Sequence, residues 1–242
     1  SYSGADVSNY NITDQTSTTA DISAKALTAT ASASNKVYDG SSAATSTLTL
    51  SGFVGSETVT STNSSTFNNK NAGTGKTVTV NSITLADGTN GGLAANYSIS
   101  TGQTTTANVT AKALTVSGIT ASNKVYDSTT NATTVLSFSG LIGSETINNT
   151  NSSTFDNKNI GTGKTVTVNS LTLVDGSNGG LASNYSISSG QTTTANVSAR
   201  PLTVSNILAS NKSYDSTTAV TLDTSNVLSL IHISEPTRLW HI

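Results

Sequence analysis

Apolar and polar residues alternate along this chain with a period of two. Thr77-Val78-Thr79-Val80 sets the pattern, and Ile83 and Leu85 resume it after a short break. Leu48 and Leu50 alternate with Thr47 and Thr49, Tyr97 and Ile99 with Ser98 and Ser100, and Leu114 and Val116 with Thr115 and Ser117. Successive side chains of a strand point to opposite faces, so each segment predicts a short strand with one buried face. Turn-forming residues separate the segments at Asp39-Gly40, Ser51-Gly52, Gly73-Thr74-Gly75 and Asp87-Gly88. The core expected of the first domain is Val37, Tyr38, Leu48, Leu50, Phe53, Val59, Phe67, Val78, Val80, Ile83, Leu85, Leu93, Tyr97 and Ile99.

The pattern recurs. NKVYDG at Asn35, NKVYDS at Asn123 and NKSYDS at Asn211 stand 88 residues apart. GSETV at Gly55 returns as GSETI at Gly143, and GGLAANYSIS returns as GGLASNYSIS. STFNNKNAGTGKTVTVNSITL returns as STFDNKNIGTGKTVTVNSLTL. GADVSNYNI, with Asn9 and Tyr10, matches the end of a repeat, where Asn96 and Tyr97 stand. The chain therefore divides into the end of one repeat (1–24), two complete repeats (25–111 and 112–199), the start of a truncated one (200–227) and an unrelated tail (228–242). This period is too long for a solenoid coil and suits a small independent domain. The expected fold is all-β: tandem small β-sandwich-like domains, immunoglobulin-like or β-grasp-like, in an extended array.

Composition narrows the chemistry. Of 242 residues 10% are charged, and the formal net charge is −2. Nothing basic enough to hold a phosphate backbone is present, so nucleic acid is not an expected partner. Cysteine is absent, which removes disulfides and thiolate metal sites. No apolar run reaches the roughly 20 residues of a membrane helix. Methionine is also absent, and a chain opening on Ser1 reads as a fragment.

Each motif with apparent chemistry has a structural reading beside it. In Lys36-Val37-Tyr38-Asp39 the tyrosine is expected to bury its ring and Asp39 to bond turn amides; a ligand role for Asp39 and Asp127 is the rival. Gly40 is replaced by Ser128 and Ser216 in the other copies, which argues that a positive φ is not required there. AGTGKT at Ala72 to Thr77 resembles part of a phosphate loop. Yet Lys70 and Lys158 occupy the required first glycine, and the motif opens a strand rather than a helix. DGTNGG at Asp87 holds one carboxylate, too few for a calcium loop, and reads as a long hairpin turn. The N-x-S/T triplets at Asn63 and Asn108 are expected from composition alone. A Lys–Asn isopeptide staple would call on Lys36 and Glu57. No catalytic residue, no cofactor site and no metal site is expected, and the chain does not read as an enzyme.

The tail breaks every pattern. LSLIHISEPTR from Leu228 to Arg238 has no counterpart in the earlier copies. It resembles the in-frame translation of a transposase sequencing adapter. Both histidines, His232 and His241, and the single tryptophan, Trp240, lie in it. Without the tail the chain has no His, Cys or Trp, so the usual general base, thiol nucleophile and zinc ligands are missing.

NKVYDG followed by STFNNKNAGTGKTVTVNSITL, GGLAANYSI and ANVTAKALT resembles the YDG repeat of filamentous-haemagglutinin-like bacterial adhesins, over nearly all of residues 1–227. The resemblance implies large exported proteins of Gram-negative bacteria, arrays of β-domains, and no catalytic residues to carry over. The function expected is that of a structural spacer in a secreted or surface-anchored adhesin. Its partners would be the neighbouring repeats. The alternative is that the repeats bind host glycan or protein directly, through multivalent weak contacts.

Overall fold

The computed structural model describes residues 3–223 apart from residues 16 and 206. The adapter-like tail, with His232, Trp240 and His241, lies outside the described residues. Regular structure within them is all β, with three short 3-10 turns and no α-helix among the described residues. Packing divides the chain into two units. One is the described residues up to Lys112 together with Ser183–Tyr185; the other is 113–182 together with the described residues from 186 onward.

The first unit carries nine strands: β1 (Lys25–Ala26), β2 (Thr28–Ala33), β3 (Lys36–Val37), β4 (Ala43–Ala44), β5 (Ser46–Ser51), β6 (Val59–Phe67), β7 (Gly73–Asp87), β8 (Tyr97–Ser98) and β9 (Thr104–Thr110). A five-stranded sheet runs in the order β3-β9-β7-β6-β4. Its β3–β9 pair is parallel and its other pairs antiparallel. β2 and β5 form a separate antiparallel pair, and β1 and β8 a parallel one.

The short break between Val80 and Ile83 is a β-bulge rather than a strand end. Ser64 pairs with Ser82 but Ser65 pairs with Val80, leaving Asn81 as the extra residue. One extra residue reverses the in–out phase. Val78 and Val80 before it and Ile83 and Leu85 after it therefore turn to the same side within one 15-residue strand. Gly73-Thr74-Gly75, expected as a separating turn, also lies inside β7. It is a second irregularity, where the register against β9 slips between Gly73 and Lys76. Gly75 takes φ 58 there and its N–H donates to Asn108 Oδ1 at 2.7 Å.

Tyr38, Val59, Phe67, Val78, Val80 and Tyr97 are buried as expected, and Leu48, Leu50, Phe53, Ile83, Leu85 and Ile99 are half-buried. Val37 and Leu93 are not core: they are 56% and 51% exposed. Val37 precedes buried Tyr38 in extended backbone, and adjacent residues there face opposite ways. Leu93 lies between strands, at the head of the 3-10 turn Ala94–Asn96. Leu27, Ala107 and Val109 join the buried set instead. Leu27 packs with Val59 and Tyr97, flanked by Leu50, Phe53, Leu85 and Ile99.

The second copy repeats the element order with β10 (Lys112–Ala113), β11 (Thr115–Ala121), β12 (Lys124–Val125), β13 (Asn131–Ala132), β14 (Thr134–Ser139), β15 (Ile147–Phe155), β16 (Gly161–Asp175), β17 (Tyr185–Ser186) and β18 (Thr192–Ser198). Its five-stranded sheet runs β12-β18-β16-β15-β13, over a core of Phe155, Val166, Ala195 and Val197. Beyond it, β19 (Leu208–Ala209) and β20 (Leu222–Asp223) pair antiparallel. No helix among the described residues is long and apolar enough to cross a membrane.

Candidate functional site

The thrice-repeated signature folds into a turn built around a lysine. β3 carries Lys36 to the edge of the sheet, where Tyr38 N–H donates to Thr110 O at 2.8 Å and the tyrosine ring is 1% exposed. The Lys36 ammonium donates to Asp39 Oδ1 (2.8 Å), Ser41 O (2.8 Å), Ser41 Oγ (3.1 Å) and Ala43 O (3.0 Å). It also stands 5.7 Å from the centre of the Phe67 ring. Asp39 Oδ1 accepts the Ser41 N–H at 2.9 Å, closing an aspartate turn. Burial pushes the Asp39 carboxyl up, but the bonds from Lys36 and Ser41 outweigh it and hold the group below its ordinary value.

The second copy superimposes chemically. Lys124 donates to Asp127 Oδ1 (2.8 Å), Thr129 O (2.8 Å), Thr129 Oγ1 (3.1 Å) and Asn131 O (3.0 Å), with the Phe155 ring at 5.5 Å. The hydrogen bond from Lys124, then those from Thr129, lower the Asp127 carboxyl to about 2. In the third copy Lys212 reaches Asp215 Oδ1 and Thr217 Oγ1, both at 2.7 Å, although Tyr214 is 92% exposed. The turn thus closes from its own residues and does not need the tyrosine buried.

The expectation about its third position is overturned. Gly40 has φ 79, Ser128 φ 66 and Ser216 φ 63, so all three copies are left-handed there. Serine holds the strained conformation because its neighbours fix it. Ser128 Oγ donates to Asp127 O at 2.5 Å, while Asp127 Oδ1 accepts from the next N–H at 2.9 Å.

The remaining candidates are tied into the fold. In the phosphate-loop look-alike, Lys76 turns inward from the bulge and donates to Asn69 Oδ1 at 2.5 Å, and burial lowers its pKa. Lys164, its counterpart, bonds Asn157 Oδ1 at 2.6 Å and Asp156 Oδ1 at 2.8 Å. In DGTNGG, Asp87 Oδ1 accepts the Ala94 N–H at 2.7 Å, and Gly88 N–H donates to Gly92 O at 2.9 Å. Glycine is required there: a Cβ on Gly88 or Gly92 would stand 2.1 or 1.9 Å from Thr58 O. The segment is a closed loop leading into the 3-10 turn and β8, not a hairpin. Among the described residues no three His, Cys, Asp or Glu side chains gather to hold a metal ion.

Lys36 and Glu57 serve different partners. Glu57 Oε2 accepts the Tyr97 hydroxyl at 2.5 Å, and Tyr97 Oη accepts the Val54 N–H at 3.1 Å. The bond to Glu57 raises the Tyr97 pKa. Asn63 exchanges bonds with Ser46, and Asn108 Oδ1 holds Gly75 N–H. Nothing in the sequence marks the inward course of Lys76 or the Glu57–Tyr97 bond as contacts. The recurrence of GTGKT singles out Lys76, and that of GSET and NY singles out Glu57 and Tyr97. A shallow open hollow of about 330 Å³, lined by Ala113, Leu114, Ser186, Ile187 and Ser188, has no titratable side chain in its wall.

No curated protein and no solved structure matches the chain. The YDG domain model matches it twice, over residues 23–107 and 110–195, which together make up well over half its length. The lysine-centred turn is the three-dimensional form of that motif, and the chain belongs to the YDG domain family.

Proposed function

We propose that these repeats are structural spacers of a secreted or surface-anchored bacterial adhesin, filamentous-haemagglutinin-like in context, which hold an adhesive segment away from the cell. One observation carries this reading: the lysine and aspartate of the repeated signature, and the aspartate that opens the glycine loop, are turned to building the turn and the loop of each copy. Lys36 and Lys124 each make four hydrogen bonds, all to neighbours within seven residues. Asp87 and Asp175 each hold a backbone amide seven residues on. Side chains engaged in this way are not offered to a ligand.

Small-angle scattering of the chain, together with a glycan array, tests the proposal. A rod-like particle that binds no glycan is the expected result. A compact particle, or saturable binding to a defined glycan class, overturns it in favour of direct multivalent recognition.

A further inference from the structure

Copies of the repeat that agree nearly residue for residue differ in burial at the Asn-Tyr step. Asn184 is fully buried, whereas Asn96, at the same position of the earlier copy, is exposed. Asn9 and Tyr10, at the same step before that, are exposed as well. By packing, Ser183–Tyr185 belongs to the first unit. There Asn184 Oδ1 accepts the Ala72 N–H at 2.8 Å and its Nδ2 donates to Asn71 Oδ1 at 3.1 Å. The Tyr185 ring meets Tyr38 edge-on, with centroids 5.5 Å apart at 81°. The receiving turn shows the mirror-image asymmetry. Lys70, Asn71 and Ala72 are half-buried, but their counterparts Lys158, Asn159 and Ile160 are exposed, with Ile160 at 61%.

We propose that the asparagine of the Asn-Tyr step closing each repeat is a plug, and that the turn at 70–72 of the repeat before it is its socket. A side-chain amide presents a donor and an acceptor side by side, as a backbone peptide does. It therefore satisfies both the amide N–H of Ala72 and the side-chain Oδ1 of Asn71, which a hydrophobic plug would leave without these bonds. The occupant of the exposed Asn159–Ile160 turn is then the Asn-Tyr step of a following repeat, and exposed Asn96 is the plug for a preceding one. The inference stands apart from the spacer reading, because it concerns how copies join and not what the array does.

Amide hydrogen exchange on the whole chain tests it. In the unmodified protein the Ala72 amide is expected to exchange at least about tenfold more slowly than the Ile160 amide. Asn184→Ala is expected to erase that protection, and Asn96→Ala to leave it unchanged. Equal exchange at Ala72 and Ile160 in the unmodified chain overturns the proposal without any variant. So does an Asn184→Ala chain whose Ala72 amide stays protected.

Discussion

Replacing Lys124 by methionine isolates what the ammonium group does for the turn. Methionine keeps an unbranched stem beside the Phe155 ring and removes only the charge and its donors. The lysine side chain is 16% exposed, so little water stands ready to replace it. Its bonds to the Thr129 and Asn131 carbonyls are 2.8 and 3.0 Å long. A hydrogen bond to a charged group contributes about 1.5–3 kcal/mol. The turn lies at the surface, where water recovers part of that loss, so we expect Lys124→Met to cost about 2 kcal/mol in all. Asp127 is half exposed, and its ion pair adds little by itself. For a domain of this size 1 kcal/mol moves Tm by about 4–8 °C, so the second copy is expected to melt roughly 8–16 °C earlier by scanning calorimetry. Lys36→Met is expected to do the same to the first copy. Lys212→Met is the internal control: Tyr214 beside it is 92% exposed and the described residues from 200 onward hold no buried side chain, so no shift is expected. A Lys124→Met chain that melts within 2 °C of the parent refutes the reasoning, as does a Lys212→Met shift of equal size.

Acid tests the same turn from its other partner. Folding lowers Asp127 from 3.8 to about 2, and Asp39, Asp156 and Asp215 move in the same direction. A carboxylate with a depressed folded pKa binds fewer protons folded than unfolded. Its contribution is therefore complete above 3.8 and lost as pH falls toward 2. The urea midpoint should fall across that window, and Asp127→Asn should flatten the fall; an unchanged slope in the variant counts against the assignment. In the core, Val78→Ala is expected to cost about 2–3 kcal/mol, because the side chain is fully buried. Val37→Ala, at a position 56% exposed, is expected to stay within about 0.5 kcal/mol. Chemical denaturation of the two variants side by side checks both, and equal losses contradict the burial pattern.

Much of the fold was legible because period-two alternation and an 88-residue repeat are local or self-referential signals. What escaped was decided by single residues. The bulge at Asn81 looks in sequence like a gap between strands, since an extra residue interrupts alternation just as a turn does. Val37 is apolar beside an apolar tyrosine, and only the direction of extended backbone separates the buried from the exposed. Serine at the left-handed position misled because the conformation is held by Asp127 and its neighbours rather than by the residue's own preference. The role of Lys36 was hidden for a related reason. Four short bonds to side-chain and carbonyl oxygens form only once the turn has closed.

Hydroxyl groups face each other across several strand pairs: Thr28 with Ser51, Ser32 with Thr47, Ser64 with Ser82, Thr115 with Ser139 and Ser152 with Ser170, all at 2.6–2.7 Å. In each pair either oxygen can donate. Ion pairs in these cross-strand positions would weaken as dissolved salt shortened the Debye length from about 30 Å at 0.01 M to 3 Å at 1 M. A hydroxyl pair carries no net charge and is indifferent to that range. Strands joined in this way keep their lateral registry from fresh water to brine, a tolerance of surroundings that charged strand faces would not give.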